Sequence, residues 1–256
     1  MGLTVYPAPI VADFKTRVLL GEVPGYSIMN AMGERESIGT TVTGEDIWRG
    51  TATSIPAPSA SGEQMEVVSS DAQDGVAGSG VITLRVEYLD ATGAEQTEDV
   101  TMNGVTGVPL LASNVRFVND MYALTVGATG VAVGTIDIYQ QGDATAIYNM
   151  IHLGGNKSLV PHRMVPLAKT LILQSWKATE AQAKRIAYRI RSTDMNGTII
   201  PGVFCFKDTA YIKQATTGEM PLSASVPALS VVKVSGWAAQ VGAEGSCSWW
   251  GYLVDD

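Results

Sequence analysis

The side chains best suited to catalysis or metal binding are two histidines and two cysteines: His152, His162, Cys205 and Cys247. A Ser-His-Asp hydrolase needs only one histidine, but the chain contains no G-x-S-x-G nucleophile motif. Neither pair shows a compact metal-ligand spacing such as C-x-x-C or H-x-x-x-H. We therefore interpret His152 as a strand-end residue and His162 as a loop residue. The sequence predicts no catalytic residue, no metal site, no cofactor and no enzyme activity.

Acidic clusters and glycine-rich segments are further candidates for catalytic or phosphate-binding sites. Glu95, Glu98 and Asp99 cluster near a predicted hairpin, where a solvated acidic edge also discourages unwanted strand pairing. Two acids at the right separation can hydrolyse glycosides, but these three fall at a turn and on an exposed strand face. The glycine-rich stretch 75–81 precedes a strand rather than a helix, so it lacks the helix N-terminus that holds a phosphate. We interpret all of these segments as edges and turns.

Three arginines share one face of the predicted strand KRIAYRIRS. Arg185, Arg189 and Arg191 alternate with apolar residues, so their guanidinium groups point the same way. They either grip carboxylates of a partner or form salt bridges within the chain on a solvent-facing strand, and both interpretations stay open. Trp249 and Trp250 are adjacent, which places one inward and one outward. The outward tryptophan lies either under an N-terminal arm or in an interface, where tryptophan is enriched.

The segment GEDIWRGTATSIPAPSASGEQMEVVSS, residues 44–70, joins the N-terminal region to the first predicted domain. Trp48 gives it an apolar anchor, and Pro56 and Pro58 stiffen the chain in an extended form. We predict a fixed hinge rather than a slack linker, with Trp48 buried. The predicted partner-contact residues are Trp48, Arg185, Arg189, Arg191 and Trp250.

Composition and charge narrow the class of protein. The chain has 256 residues, 46% of them hydrophobic, with 27 glycines and a net charge of −8. Residues 1–140 carry 6 basic and 17 acidic residues (−11), and residues 141–256 carry 11 and 8 (+3), which sums to −8. An acidic first half argues against nucleic-acid binding, because phosphates would be repelled. The asymmetry is compatible with contact between unlike halves of two copies.

No apolar run reaches the length of a membrane span, and the first residues lack the pattern of a signal peptide. We therefore expect no membrane contact and synthesis in a cytoplasm, where Cys205 and Cys247 would stay reduced. Whether these two cysteines lie near each other is left open by the sequence.

The pattern of residues predicts an all-β protein. Segments such as 81–90, 115–126 and 184–192 alternate between apolar and polar residues, and turn signals recur about every 8–12 residues, as in sandwiches and barrels. We predict two β-sandwich, jelly-roll-like domains with an extended N-terminal arm. The predicted boundaries are 1–45 for the arm, 46–140 for the first sandwich and 141–256 for the second.

An ordered set of motifs gives the sequence its one resemblance. After the arm come EDIW (45–48), EQMEVVSSDAQD (63–74) and the hairpin RVEYLDATGAEQTEDVTMNG (85–104). VRFVNDMYAL, AIYNMIHLGGNKS, KTLILQSW, RIAYRIR and a closing GYLVDD follow. From about residue 25 onward, the chain resembles a family of tailed-bacteriophage virion structural proteins. No single motif is diagnostic, and the specificity comes from the order of the set.

The resemblance implies a non-enzymatic structural component of the virion, assembled in the host cytoplasm. Its expected place is the head shell, as a minor capsid, cement or decoration protein, with a tail or head–tail-junction component as the alternative. Its expected partners are the major capsid protein, other virion proteins and further copies of itself. An alternative of another class is a carbohydrate- or receptor-binding β-module in which outward Trp48, Trp237 or Trp250 stacks on sugar.

Overall fold

The computed structural model describes residues 13–195, 197–200, 202–213 and 219–256. These ranges form an all-β structure, as predicted, with one six-residue helix. No helix in the described ranges is long and apolar enough to cross a membrane. The elements are α1 (Phe14–Leu19), β1 (Tyr26–Ile38), β2 (Glu45–Asp46), β3 (Met65–Ser69), β4 (Val81–Asp90), β5 (Glu95–Thr101), β6 (Val108–Pro109), β7 (Val115–Val126), β8 (Ile136–Gln140), β9 (Asp143–Ile151), β10 (Arg163–Met164), β11 (Lys169–Glu180), β12 (Ile186–Ser192), β13 (Asp194–Met195), β14 (Thr198–Ile199), β15 (Cys205–Ile212), β16 (Met220–Val226), β17 (Val231–Ala238) and β18 (Ala243–Asp255).

Four antiparallel sheets carry the architecture. Sheet I has the strand order β1-β18-β11-β16, and sheet II has the order β10-β17-β12-β15 with β2 paired to β17. Sheet III has the order β5-β4-β7, and sheet IV has the order β6-β3-β8-β9. The four sheets are arranged like the blades of a small propeller, so the predicted pair of jelly-roll sandwiches is wrong. Alternation along a strand predicts which residues face inward, but it carries no information about which sheets stack.

Two apolar cores and two smaller clusters join the sheets. Sheets I and II share the largest core, which includes Trp176, Tyr188 and Trp249, and sheets III and IV share the second. Leu89 and Phe117 of sheet III meet β10 and β17 of sheet II in a smaller cluster. Strand β17 of sheet II is correspondingly buried on both faces over six consecutive residues, whereas the edge strand β15 has several exposed side chains. A strand buried on both faces lies between layers, whereas one face of a simple sandwich sheet is solvated.

The predicted N-terminal arm is in large part a strand. Residues 26–38 form β1, which pairs along its length with the C-terminal strand β18, from Tyr26 opposite Val254 to Arg35 opposite Gly245. Strand pairing also extends across the predicted domain boundary at residue 140, because β9, which follows the boundary, pairs with β8, which precedes it, in sheet IV. The turn-like residues at 22–36 did not predict β1. The strand that pairs with it lies at the opposite end of the sequence, where no local pattern points to it. Residues 1–12 of the predicted arm lie outside the described residues.

The segment 44–55 is fixed, as predicted, by inward-facing side chains. Glu45 forms an ion pair of 2.9 Å with Arg35, and the Asp46 carboxylate lies 2.9 Å from the Lys233 ammonium. Ile47 is fully buried, and Trp48 packs with Ile55, Met150 and Val160 while its indole N–H donates to the Ala52 carbonyl. All four residues of EDIW therefore connect the hinge to the interior.

A buried carboxylate organises the loops of sheets III and IV. Asp74 is inaccessible to solvent and accepts hydrogen bonds from Ser69 Oγ at 2.6 Å and from the backbone N–H groups of Val81 and Gly134, both at 2.8 Å. Burial alone would raise its pKa, but these hydrogen bonds outweigh burial and hold the pKa below the ordinary value. Asp74 therefore has a structural role, because its carboxylate accepts hydrogen bonds from three separate chain segments and so holds them together.

Asp137 on β8 lacks such compensation. It stands opposite Val68 and Met150, and its Oδ1 is shielded from solvent without a hydrogen-bond partner among the described residues. Burial raises the pKa of Asp137 to about 6. An acid with a raised folded-state pKa penalises folding at high pH, because ionisation costs more in the folded than in the unfolded state.

We therefore expect Asp137→Asn to stabilise the protein at pH 8. The shift from 3.8 to about 6 corresponds to about 3 kcal/mol. Since the side chain keeps some solvent contact, we expect a gain of about 1–2 kcal/mol. The gain should shrink as the pH falls through 6 and vanish below about 4, where both states of the wild-type acid are protonated. Urea unfolding at pH 4, 6 and 8 measures it, and a gain independent of pH would contradict this explanation.

Candidate partner-binding face

The arginine stripe lies on the outer face of sheet II. Ile186, Tyr188 and Ile190 of β12 are fully buried in the main core, so the alternate residues point away from it. Strand pairing sets Arg189 between Thr209 of β15 and Ser235 of β17. The two neighbouring strands therefore supply the side chains that surround the stripe.

Arg189 is held between two aromatic rings. Its guanidinium carbon lies 4.4 Å from the centre of the Phe206 ring and 4.0 Å from the Trp237 ring, and Tyr211 meets Trp237 edge-to-face at 6.5 Å. No carboxylate in the described part of the chain lies within ion-pair distance of Arg189. We call this set of four residues, Arg189, Phe206, Tyr211 and Trp237, the arginine–aromatic face.

The face combines a pre-oriented cation with exposed apolar surface. Phe206 is 57% exposed and Tyr211 is 65% exposed, while Trp237 is half-buried. A guanidinium stacked between rings keeps its N–H donors at the edge, where a planar carboxylate can accept two of them. Aromatic residues and arginine are also the types enriched in protein interfaces. The arrangement is thus suited to binding a carboxylate flanked by apolar groups.

The other two arginines have different surroundings. Arg185 is exposed, and Arg191 is half-buried with its guanidinium 3.8 Å from the Asp46 carboxylate. Burial lowers the pKa of Arg191, and neighbouring Asp46 opposes the shift only in part. The intrachain salt-bridge interpretation therefore applies to Arg191, whereas Arg189 has the geometry expected for contact with a partner.

The paired tryptophans divide as predicted, one inward and one outward. Trp249 is buried and its indole N–H donates to the Pro161 carbonyl at 3.1 Å. Trp250 is half-buried under α1, with the Lys15 ammonium 3.7 Å from the ring centre, and its indole N–H donates to Glu219. The N-terminal region thus covers the outward ring, and Lys15 occupies the face that a sugar or partner would use.

The prediction that Trp48 contacts a partner is wrong. Only 1% of its surface is exposed, and Gly50 lies so close that an added Cβ would fall 2.2 Å from the ring. A single tryptophan in a stretch of small residues indicates an anchor, but the sequence does not show that the anchor is internal. The sequence analysis did not identify Phe206 and Tyr211 as candidate contact residues. Alternation in β15 assigns each residue to a face of the strand, but it does not show whether that face is exposed to solvent.

The histidines and cysteines have structural surroundings. His162 lies in a loop, is buried edge-to-face against Phe117 at 4.9 Å, and has its pKa lowered to about 3 by burial. His152 Nδ1 lies 3.0 Å from the Leu153 carbonyl oxygen. Cys205 and Cys247 are both free, and burial raises the pKa of the Cys247 thiol. The described residues contain no group of three or more potential ligands that could hold a metal ion.

Comparison with known proteins gives no assignment. No family model matches the chain, and no curated protein matches it. A chain from a structure described as that of infectious bursal disease virus, Gx strain, is 9% identical with a TM-score of 0.27, over 94% of this chain and 78% of that one. A chain from the T13 IBDV viral particle is 9% identical with a TM-score of 0.26, over 94% and 74%. Likenesses this weak carry no argument about fold or function.

Removing Arg189 should leave the fold intact. Exposed cation–π contacts contribute about 0.5–1 kcal/mol each, so we expect Arg189→Ala to cost about 1–2 kcal/mol for two rings. Arg185→Ala is the matched control, with an expected loss near zero because Arg185 is exposed. Urea unfolding measures both, and a loss for Arg189→Ala large enough to unfold the chain would show that this arginine is a structural element.

Proposed function

We propose that this protein is a non-enzymatic structural component of a tailed-bacteriophage virion. Its place is the head shell, as a minor capsid, cement or decoration protein. The observation that carries the proposal is the arginine–aromatic face, a cation without an intrachain carboxylate partner among the described residues, framed by exposed rings. The ordered set of motifs from EDIW to GYLVDD supports the choice of virion family.

The face would work by docking an acidic side chain of a neighbouring virion protein. The carboxylate takes the free donors of Arg189, and the apolar surroundings bury Phe206 and Tyr211. Buried aromatic rings contribute most of the affinity in such interfaces, and the paired charge fixes the orientation. A single contact of this size is weak, so a repeating shell that offers many copies would strengthen it through multivalency.

The partners in this proposal are the major capsid protein or other virion proteins, together with further copies of this chain. Nucleic acid and membranes are not partners. The acidic balance of residues 1–140 supports the first exclusion, because it would repel phosphates. The protein would be made in the host cytoplasm and reside in the virion.

Two alternatives remain for the same face. A tail or head–tail-junction component would use it in a similar way but in far fewer copies. A carbohydrate- or receptor-binding module is favoured by the exposure of Phe206 and Tyr211. Tyr211 and Trp237 meet at 84°, however, and therefore do not form the flat platform on which a sugar ring stacks. Saturable binding on a glycan array would favour this second alternative and contradict a purely structural role.

The test is the abundance of this protein in purified particles. Particles from cells that make the protein are banded on a density gradient, and its peptides are counted against the major shell protein with isotope-labelled standards. Copy numbers on the order of hundreds are expected for a head-shell protein, because closed shells repeat their contacts by symmetry. A dozen or fewer would move it to the tail or a vertex, and its absence from particles would contradict a virion role.

The contribution of the face is tested in the same particles with paired variants. Arg189→Ala and Phe206→Ala should each lower the copy number per particle, because they remove the charged and the apolar part of the contact. Arg185→Ala is the control, since Arg185 immediately precedes the same strand and carries the same charge but stacks on neither ring. Equal incorporation of all variants would show that a different surface attaches the protein.

A further inference from the structure

A second exposed apolar patch lies at the C-terminal end of α1. Leu19 is 63% exposed and Leu20 is 65% exposed, and the part of the chain that the structure describes contains no other adjacent pair of exposed large apolar side chains. Glu22 follows two residues later, with 54% of its side chain exposed. We call Leu19, Leu20 and Glu22 the leucine–glutamate knob. It presents a carboxylate beside two exposed apolar side chains.

Backbone hydrogen bonds at the end of α1 fix the shape of the knob. The Glu22 N–H donates to the Arg17 carbonyl at 2.9 Å, and the Gly21 N–H donates to the Val18 carbonyl at 3.0 Å. Gly21 has a φ of 72°, the left-handed conformation that glycine adopts readily after a helix. Val18 is buried and anchors the last turn. A contact surface that is ordered before binding loses less conformational entropy when it docks.

The knob and the arginine–aromatic face lie on opposite sides of one pair of sheets. Trp249 of β18 belongs to the core that sheets I and II share, so Trp250 and Tyr252 point away from that core. The Phe14 ring packs on Tyr252 at 5.2 Å, and the Lys15 ammonium lies 3.7 Å from the centre of the Trp250 ring. Helix α1 therefore covers the outer face of sheet I, whereas the arginine–aromatic face is the outer face of sheet II. The two surfaces cannot meet within one molecule.

The two surfaces are chemically complementary. The arginine–aromatic face is suited to a carboxylate flanked by apolar groups, and the knob supplies both. Glu22 Oε2 lies 3.6 Å from Arg17 Nε, but this ion pair is exposed and contributes little, and a carboxylate can accept hydrogen bonds from two arginines. The charge balance of the chain agrees, since the knob lies in the half with −11 and the face in the half with +3.

We propose that the arginine–aromatic face of one copy docks the leucine–glutamate knob of a second copy. The pairing rests on the docking role proposed above for the face and names its partner, but it does not require a virion location. Because the two surfaces lie on opposite sides, the contact is head-to-tail and leaves one knob and one face free for further copies. The rotation between neighbours then decides between a closed ring and an open row. A single contact of this size is weak.

The test is sedimentation velocity of the full-length protein with two charge reversals, at concentrations up to about 1 mM so that weak contacts are populated. Glu22→Arg and Arg189→Glu should each weaken self-association by about tenfold or more, because each sets like charges against each other. An equimolar mixture of the two variants should restore association, since the reversed knob of one fits the reversed face of the other. Arg185→Glu is the matched control and should associate like the wild type.

A variant of the knob's apolar part supplies a second measurement. Leu20→Ser alters a side chain that is exposed in the single copy, so it should leave urea unfolding unchanged while it weakens association. A wild-type protein that stays monomeric at the highest concentration would overturn the pairing, as would a mixture of the two reversals that stays monomeric.

Failure of the pairing is distinguishable from failure of the proposed virion role. If the pure protein stays monomeric while Arg189→Ala lowers the copy number per particle and Glu22→Arg does not, the face docks a different virion protein. That result would overturn only the pairing between copies. Absence of the protein from particles, together with restored association in the mixture, would overturn only the virion role.

Discussion

The buried ion pair between Asp46 and Lys233 holds the hinge segment against sheet II. Asp46 is 1% exposed and Lys233 is 4% exposed, with 2.9 Å between carboxylate and ammonium. Ser54 Oγ and the Ile55 N–H also donate to Asp46, and the Phe204 ring lies 4.1 Å from the ammonium. Burial lowers the pKa of Lys233, and Asp46 opposes that shift. Two buried charges are tolerated together because each satisfies the other, whereas either alone would be costly.

This pair determines how the distant parts of the chain meet. It lies beside the short pairing of β2 with β17, where Asp46 stands opposite Ser235. Arg35 of β1 closes the same segment by donating to the carbonyl oxygens of Gly50 and Ala52, both at 3.2 Å. Trp48 in this segment packs in one apolar cluster with Met150 of sheet IV. Arg191 of β12, the strand that also carries Arg189, lies 3.8 Å from the same Asp46 carboxylate.

Local patterns in the sequence predicted local features well. Alternation in residues 184–192 correctly separated the arginines from the apolar residues of the strand, and the adjacency of Trp249 and Trp250 correctly divided them between interior and surface. Pairing between the first and last strands was not predictable, because it joins residues that no short-range pattern connects. The stacking of four sheets and the exposure of Phe206 likewise depend on which layers cover which faces. One stripe of arginines therefore contains an exposed, a stacked and a half-buried member that the sequence does not distinguish.

A double-mutant cycle on Asp46 and Lys233 tests the central claim most directly. Urea unfolding of wild type, Asp46→Asn, Lys233→Met and the double variant gives the four free energies of unfolding. Asp46→Asn should cost about 3–5 kcal/mol, because it leaves the buried Lys233 ammonium without its counterion. Lys233→Met should cost less, because Arg191 still lies 3.8 Å from the Asp46 carboxylate. The double variant should cost clearly less than the sum, with a coupling of about 2 kcal/mol or more. Additive losses below about 1 kcal/mol each would contradict the account, since the hinge would then be held by other contacts.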